Sequence, residues 1–311
     1  MLAVRIHHYG KRDALSLDDI PIPEIAPDEV LVKVVAASVN PVDWKVREGQ
    51  LAQMIPHALP LTLGWDVSGV VAAVGDAVTG WQPGDAVFSR PDLARNGTYA
   101  EFVAIRAADC ARKPRTVSHA AAAALPLAGI TAWEALVDNA GIKPGQRVLV
   151  HAGSGGVGSL AIQIARDHGA TVIATTSARN RALVESLGAH QVIDYTTTRF
   201  DEVLEPVDVV FDTLGGQVQE ASWRVLRPGG ILVSIVSPPD ADKARAHGVR
   251  SAFVFIGPNA PVLARLADMV DGGRLRPIVG AEFGLRDAAR AHALSESGRA
   301  VGKIVLLAGT P

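Results

Sequence analysis

Val148-Leu149-Val150-His151-Ala152-Gly153-Ser154-Gly155-Gly156-Val157-Gly158 is the stretch that decides the fold. Three aliphatic residues read as a buried strand and a glycine-rich turn follows. The next residues open an amphipathic helix with Val157, Leu160, Ala161, Ile164 and Ala165 on one face. Gly153, Gly155 and Gly158 keep the spacing G-x-G-x-x-G. In that pattern the first glycine lets the chain turn tightly out of the strand. The second lets the backbone approach a pyrophosphate, and the third lets helix and strand pack closely. Amides at the helix start then face the anion. Gly153, Ser154, Gly155, Gly156, Val157 and Gly158 are therefore candidate contacts to a dinucleotide.

The kind of dinucleotide is read at the end of the next strand, about 20 residues after the glycines. An NAD site carries Asp or Glu there, to accept hydrogen bonds from the ribose hydroxyls. This chain has Thr175-Thr176-Ser177-Ala178-Arg179-Asn180-Arg181, with no carboxylate before Glu185. Ser177 suits a 2′-phosphate as a donor and Arg179 as an ionic partner. The reading is NADP(H).

Outward from the loop, strand candidates at 171–175, 191–194, 208–212 and 231–236 alternate with helices. One of these helices gathers Leu183, Val184 and Leu187 and is closed by Gly188. That alternation predicts an α/β fold, a doubly wound parallel sheet of Rossmann type over residues 118–260. Residues 1–117 are instead β-rich, with short runs at 31–36, 68–74 and 99–104 punctuated by Pro/Gly/Asp turns, and predict a partly closed barrel. Beyond 260, a helix at 262–270, a strand at 278–283, a helix at 287–297 and a strand at 303–307 are expected to return to the first domain. The 311 residues suit two domains at roughly 150 residues each.

Composition narrows the function. A formal net charge of −2 offers no basic field for nucleic acid. The longest apolar run, at 120–130, is alanine-rich and broken by Pro126, too short for a bilayer. The start lacks the basic-then-apolar order of a signal peptide. One cysteine, Cys110, excludes an internal disulfide and a multi-cysteine zinc site. The expectation is a cytoplasmic protein with no membrane and no nucleic-acid partner.

Several further segments carry a resemblance that spans nearly the whole chain. They are Ala37-Ser38-Val39-Asn40-Pro41-Val42-Asp43, Gly64-Trp65-Asp66-Val67-Ser68-Gly69-Val70-Val71, Leu127-Ala128-Gly129-Ile130-Thr131-Ala132-Trp133, Val192-Ile193-Asp194-Tyr195, Phe211-Asp212-Thr213-Leu214-Gly215-Gly216 and Gly302-Lys303-Ile304-Val305. Together with the glycine loop they resemble the medium-chain dehydrogenase/reductase superfamily, in its zinc-independent quinone oxidoreductase (zeta-crystallin-like) branch. The resemblance implies a GroES-like catalytic domain, a Rossmann domain and a homodimer. Zinc alcohol dehydrogenases of that superfamily place a cysteine in the first segment and Gly-His-Glu in the second. Here stand Asn40 and Asp43, then Gly64-Trp65-Asp66, and no metal is expected. Without a Lewis acid, the expected chemistry is hydride delivery from NADPH to a quinone or an α,β-unsaturated carbonyl, which delocalises the incoming charge onto oxygen.

Candidate residues carry two readings each. Asn40 orients the nicotinamide, where the resemblance places it, or steadies the loop before Pro41. Asp43 lines the substrate pocket or caps a helix. Thr131 meets the nicotinamide by resemblance, or bonds back along its helix. Tyr195 flanks the adenosine phosphate by resemblance, or is a strand-end aromatic, and Leu214 belongs to the same set of cofactor contacts. Phe253, Val254 and Phe255 form the core of an edge strand. In relatives that strand pairs across a dimer and runs near the nicotinamide. Lys303 approaches the phosphates or projects from a strand end. Asp66 is expected to anchor loop amides, and His151 to be a polar strand-end residue rather than a base. Two alternative functions remain beside the reductase: an enoyl-thioester reductase, and a non-catalytic NADPH-binding protein of crystallin-like or redox-sensing kind.

Overall fold

A computed structural model describes residues 1–309. Their contacts divide them into two compact units. The first comprises Met1–Leu127, Gly257–Gly273 and the residues from Pro277 on, and the second comprises Ala128–Ile256 with Arg274–Arg276.

The second unit is built on a six-stranded parallel sheet. Its order across the sheet is Gln191–Asp194, Thr171–Thr176, Arg147–Val150, Val207–Asp212, Leu226–Ser234 and Arg250–Phe253. The chain runs outward from Arg147–Val150 in one direction, then returns and runs outward in the other. The topological switch therefore falls beside that strand, where open α/β sheets bind ligands at the carboxyl ends. Val148 pairs with Val172 on one side and Val209 on the other. With Leu149 and Val150 it is fully buried, as a strand covered on both faces requires. The helix Gly156–Asp167 follows the glycine turn. Leu160, Ala161, Ile164 and Ala165 are buried as the pattern predicts, while Val157 is only half-buried. Ser159, Ile162 and Gln163 are buried too. Gln163 explains part of this, because its amide both donates to and accepts from the Arg276 backbone, at 3.0 and 2.8 Å.

The first unit holds a seven-stranded sheet around Glu29–Val39 and a three-stranded sheet of Leu15–Asp19, Leu2–Ile6 and Leu61–Thr62. Glu29–Val39 pairs along its length with Val67–Val74. On its other edge it pairs first with Phe102–Arg106 and then with Lys303–Leu307. The C-terminal segment thus completes the first unit's sheet. The helix His119–Ala123 is capped by Ser118, whose hydroxyl accepts from the Ala121 amide. Its Ala123 clusters with Ala36 and Val305 of that same sheet. For this reason the division by contacts lies at Leu127/Ala128, ten residues beyond the 117/118 position read from the sequence. Among the described residues no helix is long and apolar enough to cross a membrane.

Candidate active site

In the second unit, the strand Arg147–Val150 ends at His151, and the chain then takes a left-handed step at Ala152, φ 49°. The turn is therefore made one residue earlier than the glycine spacing suggests. Gly153 is required for space: a Cβ there would lie 2.9 Å from Ala174 Cβ and 3.0 Å from Ile162 Cδ1. At Gly158 a Cβ would fall 2.3 Å from the Ala152 carbonyl oxygen, which fits the packing role of the third glycine. A Cβ at Gly155 would meet only that oxygen, at 3.3 Å, so the middle of the turn stays open to a ligand.

The next strand and the turn after it tie the glycine turn down. The Gly153 amide donates to the Thr175 carbonyl at 2.9 Å. Ser154 Oγ accepts from Thr176 Oγ1 at 2.9 Å and from Asn180 Nδ2 at 3.0 Å. With both acceptor positions filled, the Ser154 hydroxyl proton remains for a further acceptor. Ser177 is half-buried at the strand end and Arg179 is exposed beyond it. Tyr195, 64% exposed, follows the neighbouring strand. Asp194 lies in register with Thr176, but its carboxylate accepts from the Thr196 amide and hydroxyl, and those bonds lower its pKa. Across the switch point, Asp212 Oδ1 accepts from the Leu214 and Gly215 amides. Leu214 is left half exposed. This arrangement fits a dinucleotide carrying a 2′-phosphate.

Arg250–Phe253 is the edge strand on the far side of this sheet. Val254 beyond it is buried, while Phe253 and Phe255 are 40% and 50% exposed. Thr131 is buried in the helix Pro126–Trp133, which runs directly into a π-helical turn, Glu134–Asn139. Such turns are frequent at functional sites.

The first unit carries a second polar cluster, assembled by strand register. Ile304 lies opposite Val39, and Val67 lies opposite Ala37. The side chains of Asn40, Asp66 and Lys303 therefore meet at one end of the sheet. Asp66 Oδ2 accepts from Ser38 Oγ at 2.7 Å, Asn40 Nδ2 at 2.8 Å and Lys303 Nζ at 3.3 Å. Its Oδ1 accepts from the Leu127 amide at 2.6 Å, the anchoring expected of it. Lys303 also donates to the Val39 carbonyl at 3.0 Å and to Asn40 Oδ1. All three ammonium protons have acceptors within the chain, which makes Lys303 a buried counter-ion of Asp66. Asn40 is likewise held at both ends of its amide.

Asn40 is also the N-cap of the helix Pro41–Arg47, so Asp43 is its third residue rather than the cap. Asp43 Oδ2 reaches back to the Asn40 amide at 2.8 Å and accepts from Tyr99 Oη at 2.6 Å. Complete burial pushes the Asp43 carboxyl up to about 7, against the lowering effects of Tyr99, the Asn40 amide and Lys303. Burial likewise raises the Tyr99 phenol well above its usual value. Tyr99 and the Asp66–Lys303 pair were missed from sequence. The signal that reveals them is the register between strands, which a single sequence does not print.

A zinc ion does not fit this cluster. Asp66 is already neutralised by an ammonium, and Trp65, where a ligating histidine stands in zinc relatives, donates its Nε1–H to the Arg95 carbonyl at 3.2 Å. Among the described residues no group of His, Cys, Asp and Glu converges as a metal requires.

Residues 26–115 match the family model of the alcohol dehydrogenase GroES-like domain, and residues 187–306 that of the zinc-binding dehydrogenase. The chain is 38% identical to the 2-methylene-furan-3-one reductase of Solanum lycopersicum, covering 96% of this chain and 76% of that one. It is equally close, at 38%, to the chloroplastic NADPH-dependent alkenal/one oxidoreductase of Arabidopsis thaliana, with 96% and 77% covered. The chain belongs to the medium-chain dehydrogenase/reductase superfamily, in its quinone oxidoreductase branch. Among solved structures, the quinone oxidoreductase from Coxiella burnetii superimposes with a TM-score of 0.92 at 36% identity, covering 99% of both chains. In medium-chain dehydrogenase terms the first unit is the GroES-like catalytic half and the second is the Rossmann half.

Proposed function

We propose that this protein is an NADPH-dependent reductase of quinones or α,β-unsaturated carbonyls that works without zinc. The observation that carries the reading is the pairing of an open G-x-G-x-x-G turn, its Ser154 hydroxyl proton available, with Ser177 and Arg179 at the second strand end. The names of the relatives at 38% identity support NADPH as the reductant and a conjugated carbonyl as the acceptor.

NADPH held by the glycine turn and the second strand end would supply a hydride to the conjugated acceptor, and solvent would supply the proton. The protein's share is positioning and electrostatics. Gly153, Ser154, Gly155, Gly156, Val157 and Gly158 hold the pyrophosphate. Ser177 and Arg179 hold the 2′-phosphate, while Tyr195 and Leu214 flank the nucleotide. Asn40 and Thr131 are assigned to the nicotinamide by family resemblance, with Asn40's orientation set by Asp66 and Lys303. Asp43, buried and bonded to Tyr99, supports that segment and is assigned no proton-transfer step.

The test is NADPH oxidation against a panel of quinones, alkenals, enones and enoyl thioesters, with and without a chelator. Turnover of quinones or enones, indifferent to the chelator, is expected. Turnover confined to enoyl thioesters would replace the substrate class. Tight NADPH binding with no turnover on any acceptor would favour the non-catalytic reading.

A homodimer in the cytoplasm completes the proposal. Phe253, exposed at the end of the sheet's edge strand, and Phe255, exposed two residues beyond it, support pairing with a second copy of the chain. Light scattering of the protein and of Phe255→Asp should read twice the chain mass and the chain mass, respectively.

A further inference from the structure

The loop that begins the dinucleotide site depends on a non-glycine residue in the left-handed region, Ala152 at φ 49°. That conformation costs an alanine about 1–2 kcal/mol, so something must hold it. Two contacts come from the backbone. The Ala152 carbonyl accepts from the Gly155 amide at 2.9 Å, and its other side is closed by Gly158. The third is a side chain: the Ala152 amide donates to Thr175 Oγ1 at 3.2 Å.

Thr175 is itself set by His151. The imidazole is buried, with Nδ1 3.1 Å from Thr175 Oγ1, Nε2 3.1 Å from Ser222 Oγ and its ring edge-on to Phe200 at 4.7 Å. Ser222 Oγ donates to the Val218 carbonyl at 2.7 Å, so it must accept from His151 Nε2–H. Nδ1 is then an acceptor, and it receives the Thr175 hydroxyl proton. The Thr175 oxygen is left with a lone pair aimed at the Ala152 amide. One chain of donors and acceptors results: the Ala152 amide into Thr175, Thr175 into His151, His151 into Ser222, Ser222 into Val218. Only the neutral Nε2–H tautomer completes it, and burial keeps the imidazole neutral by lowering its pKa to about 4 against the pull of Asp212.

We infer that His151 is a positioning residue for NADPH: acting through Thr175, it holds the left-handed Ala152 from which the phosphate-binding turn starts. This rests on the reading of that turn as the cofactor site. It gives His151 a task in cofactor affinity, where the sequence suggested only a strand-end polar group.

The test measures the NADPH dissociation constant by cofactor fluorescence, alongside the unfolding midpoint, for Thr175→Val, Thr175→Ser and His151→Phe, each with Ala152 and with Ala152→Gly. With Ala152 present, Thr175→Val and His151→Phe should weaken NADPH binding about tenfold, the scale of one lost hydrogen bond. The change should fall in KM for NADPH more than in kcat. Thr175→Ser should stay within about threefold of the parent. In the Ala152→Gly background, where φ near +50° carries no penalty, the same substitutions should cost less than about threefold. Dissociation constants within twofold of the parent, a penalty equal in both backgrounds, or a fall in the unfolding midpoint with unchanged affinity would each overturn the inference. Failure of the parent chain to bind NADPH would instead overturn the cofactor reading beneath it.

Discussion

The glycine turn of the Rossmann half and the Asn40–Asp66–Lys303 cluster of the GroES-like half both join strand ends through polar side chains, but they distribute their hydrogen bonds differently. In the turn, Thr175 accepts from the Ala152 amide, Thr176 and Asn180 donate to Ser154, and the Ser154 hydroxyl proton is left over. In the cluster, Ser38, Asn40, Asp66 and Lys303 satisfy one another, and each Lys303 proton has an acceptor. A ligand site keeps bonds in reserve. A structural pair closes them, because a buried charge without a partner is costly.

That contrast breaks most readily at Lys303. Lys303→Met leaves Asp66 buried and without its cation, and should lower unfolding free energy by about 3–5 kcal/mol in denaturant titrations. A loss below 1 kcal/mol would mean that the amide and hydroxyl donors alone hold Asp66. The turn should respond in affinity instead. Gly158→Ala pushes a Cβ onto the Ala152 carbonyl and should weaken NADPH binding about 100-fold, or roughly 3 kcal/mol, by calorimetry. Unchanged affinity would show that the helix can shift without moving the turn.

A third measurement sharpens the comparison by pH. The Asp43 carboxyl lies at about 7 in the folded chain against an ordinary value of 3.8, so the folded state holds a proton that the unfolded state has released. Stability should therefore fall as pH rises through that window, by up to about 1.4 kcal/mol per unit. Asp43→Asn keeps an oxygen for Tyr99 and the Asn40 amide and removes the titration, so its stability should be flat where the parent declines. An equal decline in both proteins would exclude Asp43 as the cause. The smallest effect is expected at the rim of the cofactor site. Arg179→Ala should weaken NADPH about tenfold with little change for NADH, and the difference should shrink at high salt, because an exposed guanidinium acts through a screened charge.

Much of the Rossmann half was legible because its signals are local. Strand, glycine turn and helix are contiguous from Val148 to Ala165, and the absence of an acidic residue after Thr176 is a matter of counting along the chain. The GroES-like half was legible mainly where runs such as 31–36 and 68–74 are long and β-branched. Leu2–Ile6, Ala86–Ser89 and Cys110–Arg112 are short strands that gain stability from their neighbours, and they passed unnoticed. The tight turn was assigned to Gly153 because glycine is the usual left-handed residue, whereas here Ala152 takes that conformation under the hold of Thr175.

The sequence by itself determined that a dinucleotide is held and that its phosphate end favours NADPH. Those properties rest on residue type and short spacing. Only the tertiary structure decided that Lys303 pairs with Asp66, that Asp43 lies buried against Tyr99, and that His151 reaches the turn through Thr175. Each of these joins residues between 23 and 264 positions apart. Strand register sets such contacts, and it arises from burying whole sheets at once rather than from any one stretch of chain.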